Sequence, residues 1–169
     1  MQDMSAYPQM EVFLREADHI DIKHIEAQTS LRAFIAGMLS YFPWWMMALL
    51  RIREILVVLL GLVRHDELER LTSMTAEEIS FTPGDNASFF IVCQAEEESF
   101  WISKTPPDKH LIAYFGVIAD SLASGWTRFQ VVTAVHYQHW TGPVYFNLIR
   151  PFHHLVVWRM MRAGATFHG

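Results

Sequence analysis

Nine histidines stand in this chain, and four of them fall in close pairs that invite a metal or an acid–base reading. His136 and His139 are three apart in a segment that reads as a strand, so their side chains point to opposite faces. His153 and His154 are adjacent in a segment that reads as a helix, where neighbours diverge by about 100°. No carboxylate or thiolate lies at ligand spacing from either pair. The tetrahedral N, S and O sets that hold zinc are therefore not written in the sequence, and no metal is expected. Acid–base chemistry would need partners distant in sequence. His153 and His110 can meet if the last helix crosses the strand that starts at His110, with Asp108 or Asp21 orienting one ring. Burial and that carboxylate would then set the charge of the imidazole. The plainer role of such histidines is to satisfy backbone groups at the ends of elements. No Ser-His-Asp set, phosphate-cradling Gly loop or HExxH motif accompanies them.

A third chemistry is an apolar pocket with a few polar groups to orient a ligand. Thr133, Tyr145, His153 and His110 are the candidate orienting residues, with Trp45, Tyr114 and Phe152 as walls. Six Trp and twelve Phe can line such a space or simply fill a dense core. No cofactor is implied.

These residues must be held by elements that the periodicity outlines. Ala17 to Ala27 reads as a first strand, with Ile20 and Ile22 alternating with Asp21 and Lys23. Thr29 or Ser30 caps a helix bearing Leu31, Phe34, Ile35, Met38 and Leu39. Pro43 separates it from a second helix, about Trp44 to Leu62. The pattern then turns to period two. Ile79 and Phe81 mark one strand, and Thr82-Pro83-Gly84-Asp85-Asn86 makes a turn. Ser88–Gln94 and Ser99–Ser103 form a hairpin joined by the acidic run Ala95-Glu96-Glu97-Glu98, read as a solvated turn. His110 to Ala119 is apolar on both faces and so central. Thr127 to His139 follows, with Phe129, Val131, Thr133, Val135 and Tyr137 on its inner face. From Pro143 to Arg162 runs a helix so apolar that burial nearly all round is predicted. Asn147, Arg150 and His154 form its one narrow polar stripe, and Pro151 interrupts its hydrogen bonding. Short links between about six or seven strands mean an antiparallel sheet in an α+β domain. With no repeat or linker, residues 1–169 read as a single domain.

Composition bounds the partners. Half the 169 residues are apolar and the net charge is −5, which lacks the basic stripe that nucleic acid requires. Trp44 to Val63 has the length of a membrane span, but Arg51, Arg53 and Glu54 near its middle argue against a transmembrane segment. Peripheral membrane contact is a lesser reading. The single Cys93 excludes an internal disulfide and suits a reducing compartment. No signal peptide is visible at Met1–Phe13, so cytoplasmic residence is the expectation.

Several local sequences resemble a known family. They are Ala17-Asp18-His19-Ile20-Asp21, Pro43-Trp44-Trp45, Leu50-Arg51-Ile52-Arg53 and Gly61-Leu62. Asp108-Lys109-His110-Leu111, Thr133-Ala134-Val135, Gly142-Pro143-Val144-Tyr145 and Pro151-Phe152-His153 continue the match. Together they resemble an uncharacterised bacterial domain-of-unknown-function family of the DUF2867 type, which is similar to the helix-grip proteins of the START and Bet v 1-like (SRPBCC) superfamily. That resemblance implies a curved antiparallel sheet gripping a long C-terminal helix, with two helices after the first strand. It also implies a bias toward apolar ligands, and in some members polyketide cyclisation. The chain departs from the pattern at Thr105-Pro106-Pro107 and at His154, where an Arg would be expected. The leading expectation is a domain that binds an apolar or amphipathic small molecule without catalysis. The alternatives are a cyclase- or dehydratase-type enzyme using cavity histidines, and a protein-interaction module using aromatics such as Trp101 or Trp126.

Overall fold

The structure is a computed structural model that describes residues 8, 10–59, 73–106 and 111–167. Its elements run α1 (Glu11–Leu14), β1 (His19–Ala27), α2 (Leu31–Leu39), α3 (Trp44–Leu59), β2 (Asn86–Ala87), β3 (Phe90–Glu96), β4 (Phe100–Lys104), β5 (Leu111–Ser121), β6 (Thr127–Tyr137) and α4 (Thr141–Ala165). The six strands pair antiparallel in the order β1-β6-β5-β4-β3-β2. They form one curved, open sheet with the long C-terminal helix laid across it. This is the α+β arrangement the strand and helix patterns predict.

One strand is placed differently. The stretch around Ile79 and Phe81 is not a strand. Residues Ala76–Glu78 close a 3-10 turn, held by the Glu78 carboxylate accepting from the Thr75 backbone N–H at 2.8 Å. Ile79 anchors that turn in the core at 0% exposure, so its apolar character reports an anchor and not a sheet position. The sixth strand is instead the two-residue β2. The predicted extension of α3 to Leu62 and the residues 107–110, His110 among them, lie outside the described residues.

The sheet is covered on both faces, by layers of unequal size. On one face, α2 and α4 pack over Phe129 and Val131 of β6 and Val117 of β5. There Phe34 stacks on Phe129 at 4.0 Å between ring centroids, with an interplanar angle of 6°. Burying an aromatic of this size is worth about 1.5–3 kcal/mol. Two glycines let α2 and α4 touch. A Cβ on Gly37 would lie 2.9 Å from the Gly164 Cα, and one on Gly164 would lie 2.5 Å from the Phe34 carbonyl oxygen. On the other face, Met10, just before the short α1, and Leu14 at its end cover Phe100, Ile102, Ile118, Val132 and Ala134. Four residues of helix leave no periodic signature, so this second layer is invisible in the sequence.

Local chemistry fixes the ends. The Ser30 hydroxyl accepts from the Ala33 N–H at 3.2 Å and caps α2. The acidic run after β3 is more than a solvated turn, because Arg32 donates its Nε to Glu97 Oε2 at 3.0 Å and lies 4.3 Å over the Phe81 ring. Burial of α4 all round is not what forms. Val144, Leu148, Phe152, Leu155 and Trp158 are 44–53% exposed, because an open sheet reaches only one side of the helix.

Candidate functional site

Strand β1 decides the site. Its register on β6 pairs His19 with Val135, Asp21 with Thr133 and Lys23 with Val131, and paired residues share a face. Val131 faces the helices, so the polar half of β1 faces them as well. Ile20 and Ile22 point to the opposite layer, against α1. The polar stripe of α4 comes down on this polar edge, and the two meet at His154.

The resulting group is compact. Lys23 Nζ donates to Asp21 Oδ2 and lies 3.1 Å from His154 Nδ1, itself 3.3 Å from Asp21 Oδ2. The tautomer of His154 decides whether Nδ1 accepts from the Lys23 ammonium or donates to the Asp21 carboxylate. His19 joins them, with its ring 6.1 Å from that of His154 and 4.8 Å from Phe146. His153 lies 6.1 Å from His154 and from Phe146, centroid to centroid.

Burial sets the charges. Desolvation pushes the Asp21 carboxyl up, but the hydrogen bond and charge of Lys23, with His154 adding, outweigh it and hold the carboxyl below its usual range. Burial lowers His19, and Arg150 and His154 push the same way. His153 is driven down to about 4, chiefly by burial and against the attraction of Asp21. It is therefore a neutral imidazole at neutral pH. Three enclosed polar atoms here have no hydrogen-bond partner among the described residues: His19 Nε2, Thr133 Oγ1 and His153 Nδ1. Thr133 is 3% exposed.

The predicted site residues divide. Thr133 and His153 both border Asp21, through the strand register and through donor atoms within 4.8 Å respectively. Tyr145 is buried elsewhere, its hydroxyl accepting from Arg53 Nε beside Leu111 and Ile149. Trp45 packs on the main core near Tyr41. Phe152 faces out at 50% exposure. Tyr114 lies on the other face of the sheet, its ring 5.0 Å from Phe13 and 5.5 Å from His136. There it lines a separate cleft of about 190 Å³ with Val12, Ile112 and Gln138. His110, and with it the expected His153–His110 pairing, lies outside the described residues. His19 and Lys23 are functional candidates that sequence reasoning misses, and His154, weighed only as a ligand beside His153, finds its partners on β1 instead. The signal was present as two polar rows, one on β1 and one on the last helix.

The metal reading also changes. His136 and His139 serve structure, one bonding the Phe13 carbonyl oxygen at 2.8 Å and the other the Thr141 hydroxyl at 3.0 Å. Asp21, His153 and His154, by contrast, offer donor atoms within 4.8 Å of one another. The carboxylate absent from sequence spacing arrives from β1. Lys23 already bonds two of these three groups, however, so the chain's own ammonium occupies the cation position.

Among the described residues, no single helix is long and apolar enough to cross a membrane, though α2 and the first part of α3, bent by 65° at their junction, would suffice together by length and composition. A comparison with curated proteins finds no match. A family model described as "Protein of unknown function (DUF2867)" matches residues 13–160, which take in every member of the polar group from His19 to His154. The chain belongs to that family.

Proposed function

We propose that this is a single helix-grip domain of the START and Bet v 1-like kind that binds an apolar or amphipathic small molecule between β1, β6 and α4. The molecule's polar group sits on the cluster of His19, Lys23, Thr133 and His153. One observation carries this reading: β1, β6 and α4 each hold one enclosed polar atom without a partner among the described residues. Buried polar groups are nearly always bonded, and each orphan costs about 1–3 kcal/mol. A ligand bearing two or three donors and acceptors recovers that cost and adds apolar contact. The lone Cys93 thiol fits a reducing, cytoplasmic setting.

Thermal melting against fatty acids and polyketide-like compounds tests the reading. Binding only to the folded state raises the melting temperature as ligand exceeds its Kd. The expected result is a concentration-dependent rise that disappears in Lys23→Met. No shift with any compound, or a shift indifferent to Lys23, would count against it.

Cyclase or dehydratase chemistry is the second reading, favoured by the neutral His153 with its unpartnered Nδ1. That nitrogen can take a proton from a bound carbon acid while the Lys23 ammonium stabilises the enolate left behind. His153→Gln would then lose turnover of β-keto substrates yet retain binding. Turnover unchanged in the variant would remove the reading.

A further inference from the structure

The side of α4 turned away from the sheet is apolar. Val144, Leu148, Phe152, Leu155 and Trp158 recur at spacings of three and four, sharing one arc of the helix about 120° wide. α3 repeats the arrangement with Trp44, Ile52, Ile55 and Val58, each more than half exposed. The two helices are neighbours, joined by the Arg53–Tyr145 hydrogen bond. Scattered exposed apolar residues need no explanation, but nine large ones on two adjoining helices do.

Charge is the second observation. α3 holds Arg51 and Arg53 against Glu54, and α4 holds Arg150, Arg159 and Arg162 with no acid. These helices thus carry +4 in a chain of net −5, which leaves −9 for everything else. Two of these cations also sit beside the apolar arc. The guanidinium groups of Arg159 and Arg162 lie 5.4 and 5.0 Å from the Trp158 ring centre.

We propose that α3 and α4 dock the domain onto an anionic membrane surface, lying in the interface and not crossing it. The apolar arcs enter the boundary between headgroups and acyl chains, and Arg159 and Arg162 pair with lipid phosphates. Trp44 and Trp158 occupy the depth that tryptophan favours. The same surface repels the acidic remainder of the chain, so attraction and repulsion together select one orientation. The proposal is independent of whether a ligand occupies the β1–α4 seam.

Co-sedimentation of the full chain with phosphatidylcholine vesicles, with and without phosphatidylglycerol, is the test. Binding is expected to the anionic vesicles, weakening as salt rises. Arg159→Gln with Arg162→Gln should weaken partition about 30-fold. Leu148→Asp with Leu155→Asp should abolish it while the chain stays folded, since both side chains are close to half exposed. Should the aspartate pair fold poorly, the arginine pair decides alone. No sedimentation with either vesicle overturns the proposal, as does equal binding to both, or binding indifferent to the substitutions. A dimer in light scattering that the aspartate pair splits would overturn it too, assigning the face to a second copy of the chain.

Discussion

Replacing Thr133 with valine separates the ligand-binding account from a merely structural one. Valine keeps the volume and the β-branched shape that suit the middle of β6, and removes only the hydroxyl. In the ligand-free protein that hydroxyl is 3% exposed and unpartnered. Deleting it should therefore stabilise the fold by about 1–3 kcal/mol. At this chain length each kcal/mol moves the midpoint by roughly 2–4 °C, so the variant should melt about 2–12 °C higher. With ligand bound the sign of the contribution reverses, because a hydrogen bond is lost. A net value of about 0.5–1.5 kcal/mol for that bond weakens affinity roughly 2- to 12-fold. Differential scanning calorimetry with and without ligand reads both quantities on the same samples. A Thr133→Val protein that melts lower by more than 1 kcal/mol in the absence of ligand would refute the reasoning, since the hydroxyl would then already have its partner.

Three further outcomes are expected. His153 is held down to about 4 in the folded chain, against an ordinary value near 6.5. The neutral form is thus the folded one, and the stability it contributes is complete above pH about 6.5 and lost as the pH falls toward 4. Urea melts across that range should show the loss, and His153→Gln should flatten it. Gly164→Ala should destabilise by about 1–3 kcal/mol, because its Cβ would meet the Phe34 carbonyl oxygen at 2.5 Å and backbone cannot step aside; chemical denaturation measures this. Lys23→Met removes the ammonium between Asp21 and His154, so zinc should raise the melting temperature of the variant and leave the wild type unmoved. Equal zinc stabilisation of both proteins would show that Lys23 does not hold the cation position.

The elements that sequence periodicity places well are those with a single apolar face or a strong stop. α2 carries a clear stripe and a serine cap, and β5 and β6 are long, largely apolar runs of eleven residues each. The site was harder to read, for a physical reason. On β1 the apolar set Ile20 and Ile22 looks like the inward face, and it is inward, but toward α1 and not toward α4. With a second layer hidden in four residues of helix, alternation alone cannot say which side meets the long helix. Alternation gives Lys23 no role and Asp21 only that of an orienting carboxylate, while both side chains are mostly enclosed beside α4. Trp101 fails for the complementary reason. Proposed as an exposed interaction aromatic, it is fully buried, its Nε1 donating to the Ser80 carbonyl oxygen at 3.0 Å. Trp126 does stand 42% exposed. Within α4, composition could not distinguish apolar residues facing the core from those left uncovered by an open sheet.

Native mass spectrometry of the freshly purified chain tests the central claim most directly. The account predicts a species heavier than the polypeptide by the mass of one small molecule, released on denaturation and depleted in Lys23→Met. Repeated preparations at the bare polypeptide mass, with no adduct formed on adding fatty acids or polyketide-like compounds, would contradict it.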